Sequence, residues 1–258
     1  GLDISALFTA PDACGALFAA CVDNLLTMGC DGVKMIEGKP DMRKNLPIPP
    51  FDSPAYEPYW ARLESGGVPL VFHVNDPQEF WDAERCPTWA RDSGWDYSDG
   101  SYPSKENLYG EVENILGRHP DLKIIFAHFY FLSQDLVRAA RFIDDHPSTC
   151  YDLAPHIDMY RDFSRQPGVA QDFFLQYQER IIYGTDSDTR TLARGPDGIK
   201  FTRAIPQLIR SFLEKDGEFT MTDGMPYHGL GLSREVLEKI YATNFERMYG
   251  ACPAPLKA

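Results

Sequence analysis

Short runs of β-branched and aliphatic residues recur along this chain, separated by longer amphipathic stretches, and this alternation limits the fold more than any other feature. Runs apolar on nearly every residue suit strands covered on both faces, and strands alternating with helices argue for parallel pairing through crossovers. Six such units are expected, with strands at Ile4–Thr9 (ISALFT), Gly32–Glu37 (GVKMIE), Pro69–Val74 (PLVFHV), Lys123–His128 (KIIFAH), Cys150–Ala154 (CYDLA) and Arg180–Thr185 (RIIYGT). Helices are expected from Pro11 to Met28, stopped by Gly29, from Tyr56 to Leu63, and from Ser104 to His119, where Ser104 flanks the cap and Pro120 closes the unit. The last stretch, Leu232–Tyr249, repeats Val236, Leu237, Ile240, Tyr241 and Phe245 at helical spacing. A tail from Cys252 to Ala258 carries two prolines and is expected to be loosely held.

A chain of 258 residues that is 43% apolar can bury one large core, so a single domain over residues 1–258 is expected. The formal charge of −13 disfavours nucleic acid or an anionic membrane as partner, since both reward clustered Lys and Arg. A small-molecule substrate fits that balance, and homo-oligomerisation stays open. Gly1-Leu2-Asp3 carries no basic n-region, and no stretch approaches the roughly 18 apolar residues of a spanning helix, so the expectation is a soluble, cytoplasmic protein. Six cysteines without a CxxC pair fit reduced thiols.

Two segments break the rhythm. Gly38–Ser53 and Asn75–Pro103 are long, rich in Pro, Trp, Asp and Gly, and each begins where a strand ends. In barrels such excursions build the active-site face. Three polar residues also stand at strand ends: His73 in VFHVN, His128 in IFAHF and Asp186 in YGTDS. Strand ends of a parallel barrel converge on one face, where neutral imidazole nitrogens and a carboxylate suit Zn²⁺ or a similar divalent ion. A lone histidine after a strand is more often a hydrogen-bonded rim residue; two with an aspartate at equivalent places point to a site.

The strings GCDGVKM (29–35), PLVFHVNDP (69–77), LKIIFAHF (122–129), CYDLAPHID (150–158), RIIYGTD (180–186) and IYATNFERMYG (240–250) together resemble the amidohydrolase-related family of the amidohydrolase superfamily. That family includes aminocarboxymuconate semialdehyde decarboxylase, aromatic-acid decarboxylases and lactone hydrolases. The resemblance implies an α/β fold, a (β/α)₈ TIM barrel of the metal-dependent hydrolase type. It implies that His73 binds a divalent metal, zinc foremost, that Asp186 binds it too or activates its water, and that His128 polarises water or substrate. Strand four would end at Lys34, where some members carry a carboxylated lysine; a plain lysine holding a substrate anion is the other option.

One departure stands out. The family's first strand ends in His-x-His, and this chain has histidines only at 73, 119, 128, 146, 156 and 228, none of them two residues apart. Counting back from strand eight at Arg180, Ile4–Thr9 is strand three, so strands one and two are missing and unpaired edges are expected at Ile4–Thr9 and Arg180–Thr185. Three explanations stand: the segment was omitted upstream, another chain supplies it, or the barrel is a degenerate homologue.

Metal-assisted hydrolysis of a small carboxylate-bearing ester, lactone or amide is the leading function. Non-oxidative decarboxylation of an unsaturated or aromatic acid is the alternative, and a non-catalytic barrel is the reading from another class. Aromatic residues near strand ends (Phe80, Trp81, Trp89, Trp95, Tyr97, Tyr102, Phe129, Tyr130, Phe131) suit a flat apolar substrate. Lys34, Lys39, Arg43 and Lys44 suit its carboxylate, or else form a solvated cluster. Tyr130 and His156 are further substrate candidates, and His228 a weaker one; His119 and His146, each before a proline, read as helix-end residues.

Overall fold

The computed structural model describes residues 5–156, 158–187, 189–221 and 224–250. Ile4, at the head of the first expected strand, and the tail Cys252–Ala258 lie outside them. The chain divides into two compact units, one of residues 1–131 with 145–149 and one of residues 132–144 with 150–258.

The first unit opens with a correction. Ser5–Thr9 is a helix (α1), not a strand, so no sheet edge forms there. A short apolar run does not by itself distinguish strand from helix, and Ala6 and Leu7 are strong helix formers. After α1 come α2 (Cys14–Thr27), β1 (Val33–Gly38), α3 (Pro40–Asn45), α4 (Glu57–Gly66), β2 (Leu70–Val74), α5 (Thr88–Asp92), α6 (Lys105–Arg118) and β3 (Ile124–Phe126). Gly29 and Gly67, both at positive φ, end α2 and α4 without the Cβ penalty of the left-handed region. Ser104 caps α6 by accepting from the Asn107 amide at 3.1 Å, as its position in the sequence suggests.

The three strands of this unit pair in parallel in the order β1-β2-β3. Met35, Phe72 and Phe126 lie in register across one face. On that face Phe72 packs 5.1 Å from Phe51 and 6.1 Å from Trp60, whose indole N–H donates to the Phe51 carbonyl. Lys34, Val71 and Ile125 are in register on the opposite face, which His73 shares by alternation along β2.

The second unit contains α7 (Leu136–Asp145) except its last residue, β4 (Thr149–Asp152) except its first, α8 (Met159–Arg165), α9 (Pro167–Gln176), β5 (Ile181–Ile182), α10 (Thr189–Leu192), α11 (Pro196–Glu214), β6 (Asp216–Thr220), β7 (Pro226–Leu230), α12 (Arg234–Glu238) and α13 (Asn244–Tyr249). Strands β4 and β5 pair in parallel, whereas β6 and β7 form an antiparallel hairpin that the apolar pattern does not announce. A π-helical turn at Lys239–Thr243 links α12 and α13, so Leu232–Tyr249 is helical over most of its length, as expected. Just beyond β5, the Tyr183 amide donates to the Ile240 carbonyl in that turn at 2.9 Å.

Two residues at the end of β1 respond sharply to change. A Cβ on Gly38 would run into the His73 carbonyl and lie 2.8 Å from Val74 Cα. Gly38→Ala is therefore expected to cost about 1–3 kcal/mol, measured by urea unfolding with an unchanged slope. Glu37 is buried, and burial pushes its carboxyl above the usual range, although the Ile36 amide donates to Oε2 at 2.8 Å. Below the unfolded-chain value of about 4.3 both states are protonated. Above it the unfolded chain ionises first, so Glu37 lowers stability as pH rises. Glu37→Gln should accordingly raise the melting temperature near pH 7 and leave it unchanged below about pH 4.

Candidate active site

The end of β2 is built by Asn75. Its φ of 74° lies in the left-handed region, which Asn tolerates better than most residues, and its amide donates to the Gly38 carbonyl at 3.0 Å. This turn brings Asp76 back towards His73. The Asp76 carboxylate accepts from Lys39 Nζ at 3.1 Å and from the Tyr97 hydroxyl at 2.7 Å, and His73 Nε2 lies 3.4 Å from it. Burial by itself would raise the Asp76 pKa; the hydrogen bonds and the Lys39 ammonium outweigh it and hold the group at about 2. His73 is itself pushed down by burial and stays neutral at pH 7. Lys39 is therefore the cation that balances Asp76, and the imidazole contributes as a neutral donor.

The His73 proton can be located. Nε2 lies 3.0 Å from the Asn75 carbonyl oxygen, which only accepts, so the neutral ring carries its hydrogen on Nε2. The lone pair is then on Nδ1. A buried neutral imidazole whose N–H is fixed by a carbonyl is the form in which histidine ligates a divalent cation, so His73 fits that role.

His128 follows β3 and meets His73 edge to face, with ring centroids 4.7 Å apart. Phe131 packs 5.3 Å from each imidazole. The chain reaches this arrangement through an unusual backbone: His128, Phe129, Tyr130 and Phe131 all have φ between 53° and 58°. None is glycine, and a left-handed helical turn disfavours L-residues by about 1–2 kcal/mol each. Its buried rings hold it, with Phe126 and Tyr130 4.1 Å apart.

The other sequence candidates fall in several places. Lys34 is the second residue of β1, and the strand runs on past it to Gly38, so Lys39 rather than Lys34 follows the strand end. Arg43 forms a two-armed pair with Glu111 at 2.6 and 3.0 Å and lies over the Phe51 ring. Lys44 reaches Ser101 and stacks on Tyr102. His119 is buried between Glu57 and Glu64, a tie between α6 and α4. In the second unit, Asp186 is exposed at φ 49° beyond β5, and His156 Nε2 lies 3.2 Å from Ser133 Oγ, which donates to Asp162. His228 donates its amide to Ser164. Among the described residues no three His, Cys, Asp or Glu side chains form a ready-made metal cluster.

The aromatic residues of 75–103 pack on one another. Phe80, Tyr97, Cys86 and Ala90 form a small core with Trp81, Trp95 and Tyr102 packed on it, so these rings build the insertion itself. Lys39 stacks on Trp95 at 4.6 Å, and the Trp95 indole donates to Asp41. Tyr97, expected beside a flat substrate, instead bonds Asp76, and Asp76 is the residue of this cluster with no place in the sequence expectations, although the His-x-x-Asp spacing after a strand is a signal for it.

A family model described as amidohydrolase matches residues 20–251. The chain belongs to the amidohydrolase family. Among solved structures it is similar to a TIM-barrel protein from Bordetella bronchiseptica, with 15% identity, a TM-score of 0.52, and 90% of this chain and 62% of that one covered. It is similar to a 2,6-dihydroxybenzoate decarboxylase from Rhizobium at 13% identity and a TM-score of 0.52, covering 91% of this chain and 67% of that one. A dihydroxybenzoic acid decarboxylase from Polaromonas sp. JS666, solved with manganese and the inhibitor 2-nitroresorcinol, gives 14% identity and a TM-score of 0.52, covering 91% and 65%. At these identities the likeness is one of fold. This amidohydrolase chain thus spans roughly two thirds of the length of such structures. No curated protein sequence matches it. No helix among the described residues is long and apolar enough to cross a membrane.

The Asp76 cluster carries an energetic prediction. Asp76→Ala would leave Lys39 and Tyr97 without their shared acceptor and should destabilise the protein by about 3–5 kcal/mol in urea unfolding. Tyr97→Phe, which removes one donor to a charged acceptor, should cost about 1.5–3 kcal/mol.

Proposed function

We propose that this chain is the catalytic part of a metal-dependent enzyme that hydrolyses a small carboxylate-bearing ester, lactone or amide. The observation that carries the reading is the His73–His128 pair, in which a buried neutral imidazole with its proton fixed on Nε2 meets a second imidazole at 4.7 Å. Membership of the amidohydrolase family supports an enzyme over a non-catalytic barrel.

His73 is proposed as a ligand through Nδ1, and Asp186 as a second ligand and proton acceptor. Imidazole nitrogen and carboxylate oxygen suit Zn²⁺; manganese, as in the Polaromonas structure, is the other candidate. A divalent cation held there supplies Lewis acidity and water activation at neutral pH. His128 would orient the attacking water through an imidazole nitrogen, and Asp186 would take that water's proton and pass it to the leaving group. Lys34, on the face of the sheet that carries His73, is proposed to hold the substrate carboxylate, with Tyr130 and His156 as further substrate contacts. Arg43, already committed to Glu111, would act through the loop it anchors.

A second reading is decarboxylation of an unsaturated or aromatic acid. It is favoured by the Phe131 ring, which lies against both imidazoles and makes their surroundings suit a flat substrate. A panel of lactones, esters and hydroxylated benzoates, assayed for acid release and for carbon dioxide, separates the two. With an active substrate, His73→Ala should lose metal and turnover together. His128→Asn should keep its metal while turnover falls about 10²–10⁴-fold. Near-normal turnover in His128→Asn would overturn the proposed mechanism at its central step.

A further inference from the structure

The turn after β3 is held from outside itself. Tyr109 Oη donates to the Tyr130 carbonyl at 2.9 Å, and Lys105 Nζ donates to the Phe131 carbonyl at 3.4 Å. Both donors come from the first turns of α6. The Tyr109 ring also meets Tyr130 edge to face at 4.8 Å, and the Lys105 ammonium lies 6.0 Å from the Phe131 ring centroid. The carbonyl of Lys105 accepts from Asn75 Nδ2 at 3.3 Å, so the start of α6 touches the residues following both β2 and β3.

We propose that Tyr109 and Lys105 are positioning residues for the two imidazoles: by holding the left-handed turn 128–131 through its carbonyls, they keep Phe131 packed against His73 and His128. The physical reason is the direction in which the turn relaxes. Four successive L-residues at positive φ are drawn towards right-handed or extended backbone, and the bonds to the Tyr130 and Phe131 carbonyls oppose that pull together with the buried rings. In the left-handed turn the fourth residue comes back over the first, which places the Phe131 ring 5.3 Å from His128. Relaxation would carry that ring away from both imidazoles. Side-chain donors bonded to turn carbonyls are a recurrent means of holding a backbone that cannot hold itself.

This inference deepens the role proposed for His128, but its first readout requires no turnover. The test compares imidazole ring resonances by NMR in the full chain, with Zn²⁺ added, for wild type, Tyr109→Phe, Lys105→Met and Lys105→Arg. His119, at the far end of α6, serves as internal control. The expected result is displaced His73 and His128 resonances in Tyr109→Phe and Lys105→Met, which lack the donor, an unmoved His119, and recovery in Lys105→Arg, which keeps one. On any substrate from the panel, kcat should fall roughly tenfold in Tyr109→Phe with KM unchanged. Unchanged His73 and His128 resonances in folded Tyr109→Phe would overturn the proposal, as would equal displacement of His119, which marks general loosening. If Tyr109→Phe does not fold, Lys105→Met decides by the same comparison.

Discussion

A carboxylate as deeply buried as Asp76 stays ionised only where donors replace the water it has lost, and the surroundings of His73 are arranged around that requirement. Lys39 comes from the residue after β1, Tyr97 from the insertion after β2, and His73 from β2 itself. One acceptor therefore ties three segments that are distant in sequence. The aromatic insertion is fastened at a second point by Asp41 and Trp95, with the Lys39 stem between the two. Because Lys39 supplies the balancing charge, His73 need not be protonated, and a neutral imidazole is the form that ligates metal.

The second constraint is backbone conformation. Both β2 and β3 end in residues at positive φ that are not glycine, Asn75 in one case and His128 to Phe131 in the other. Strain at strand ends persists only where packing over-determines it, and here buried rings and the start of α6 supply that packing. The two imidazoles meet because of these turns. An ordinary extended exit from β3 would direct His128 and Phe131 to opposite sides of the chain.

Much of the fold was legible in the sequence. Five of the six expected strands occur, since continuous apolar runs such as KIIF and LVFHV have few ways of being buried other than inside a parallel sheet. The α6 cap at Ser104 and the ends of α2 and α4 at glycine follow from local chemistry. ISALFT is too short to show a period, so its composition fits a strand as well as the helix that forms at Ser5–Thr9, and the hairpin β6–β7 has no sequence signature because Asp216–Thr220 carries no apolar alternation and is a strand only by virtue of its partner. The resemblance implies a strand end at Lys34, whereas β1 runs on through Met35, Ile36 and a buried glutamate to Gly38, close to the extent that the apolar run GVKMIE indicates.

By itself the sequence determined the βα alternation, the family, and the placing of His73 and His128 at the ends of strands, because hydrophobic periodicity and strand termini are local properties. Only the tertiary structure decided that Asp76 is the charge beside His73, that Arg43 belongs to Glu111, and that His128 leaves its strand through a left-handed turn. Each of these depends on which side chains lie close across long separations. A buried charge takes whatever donor the fold brings near it, and a strained turn survives only where distant residues bond its carbonyls.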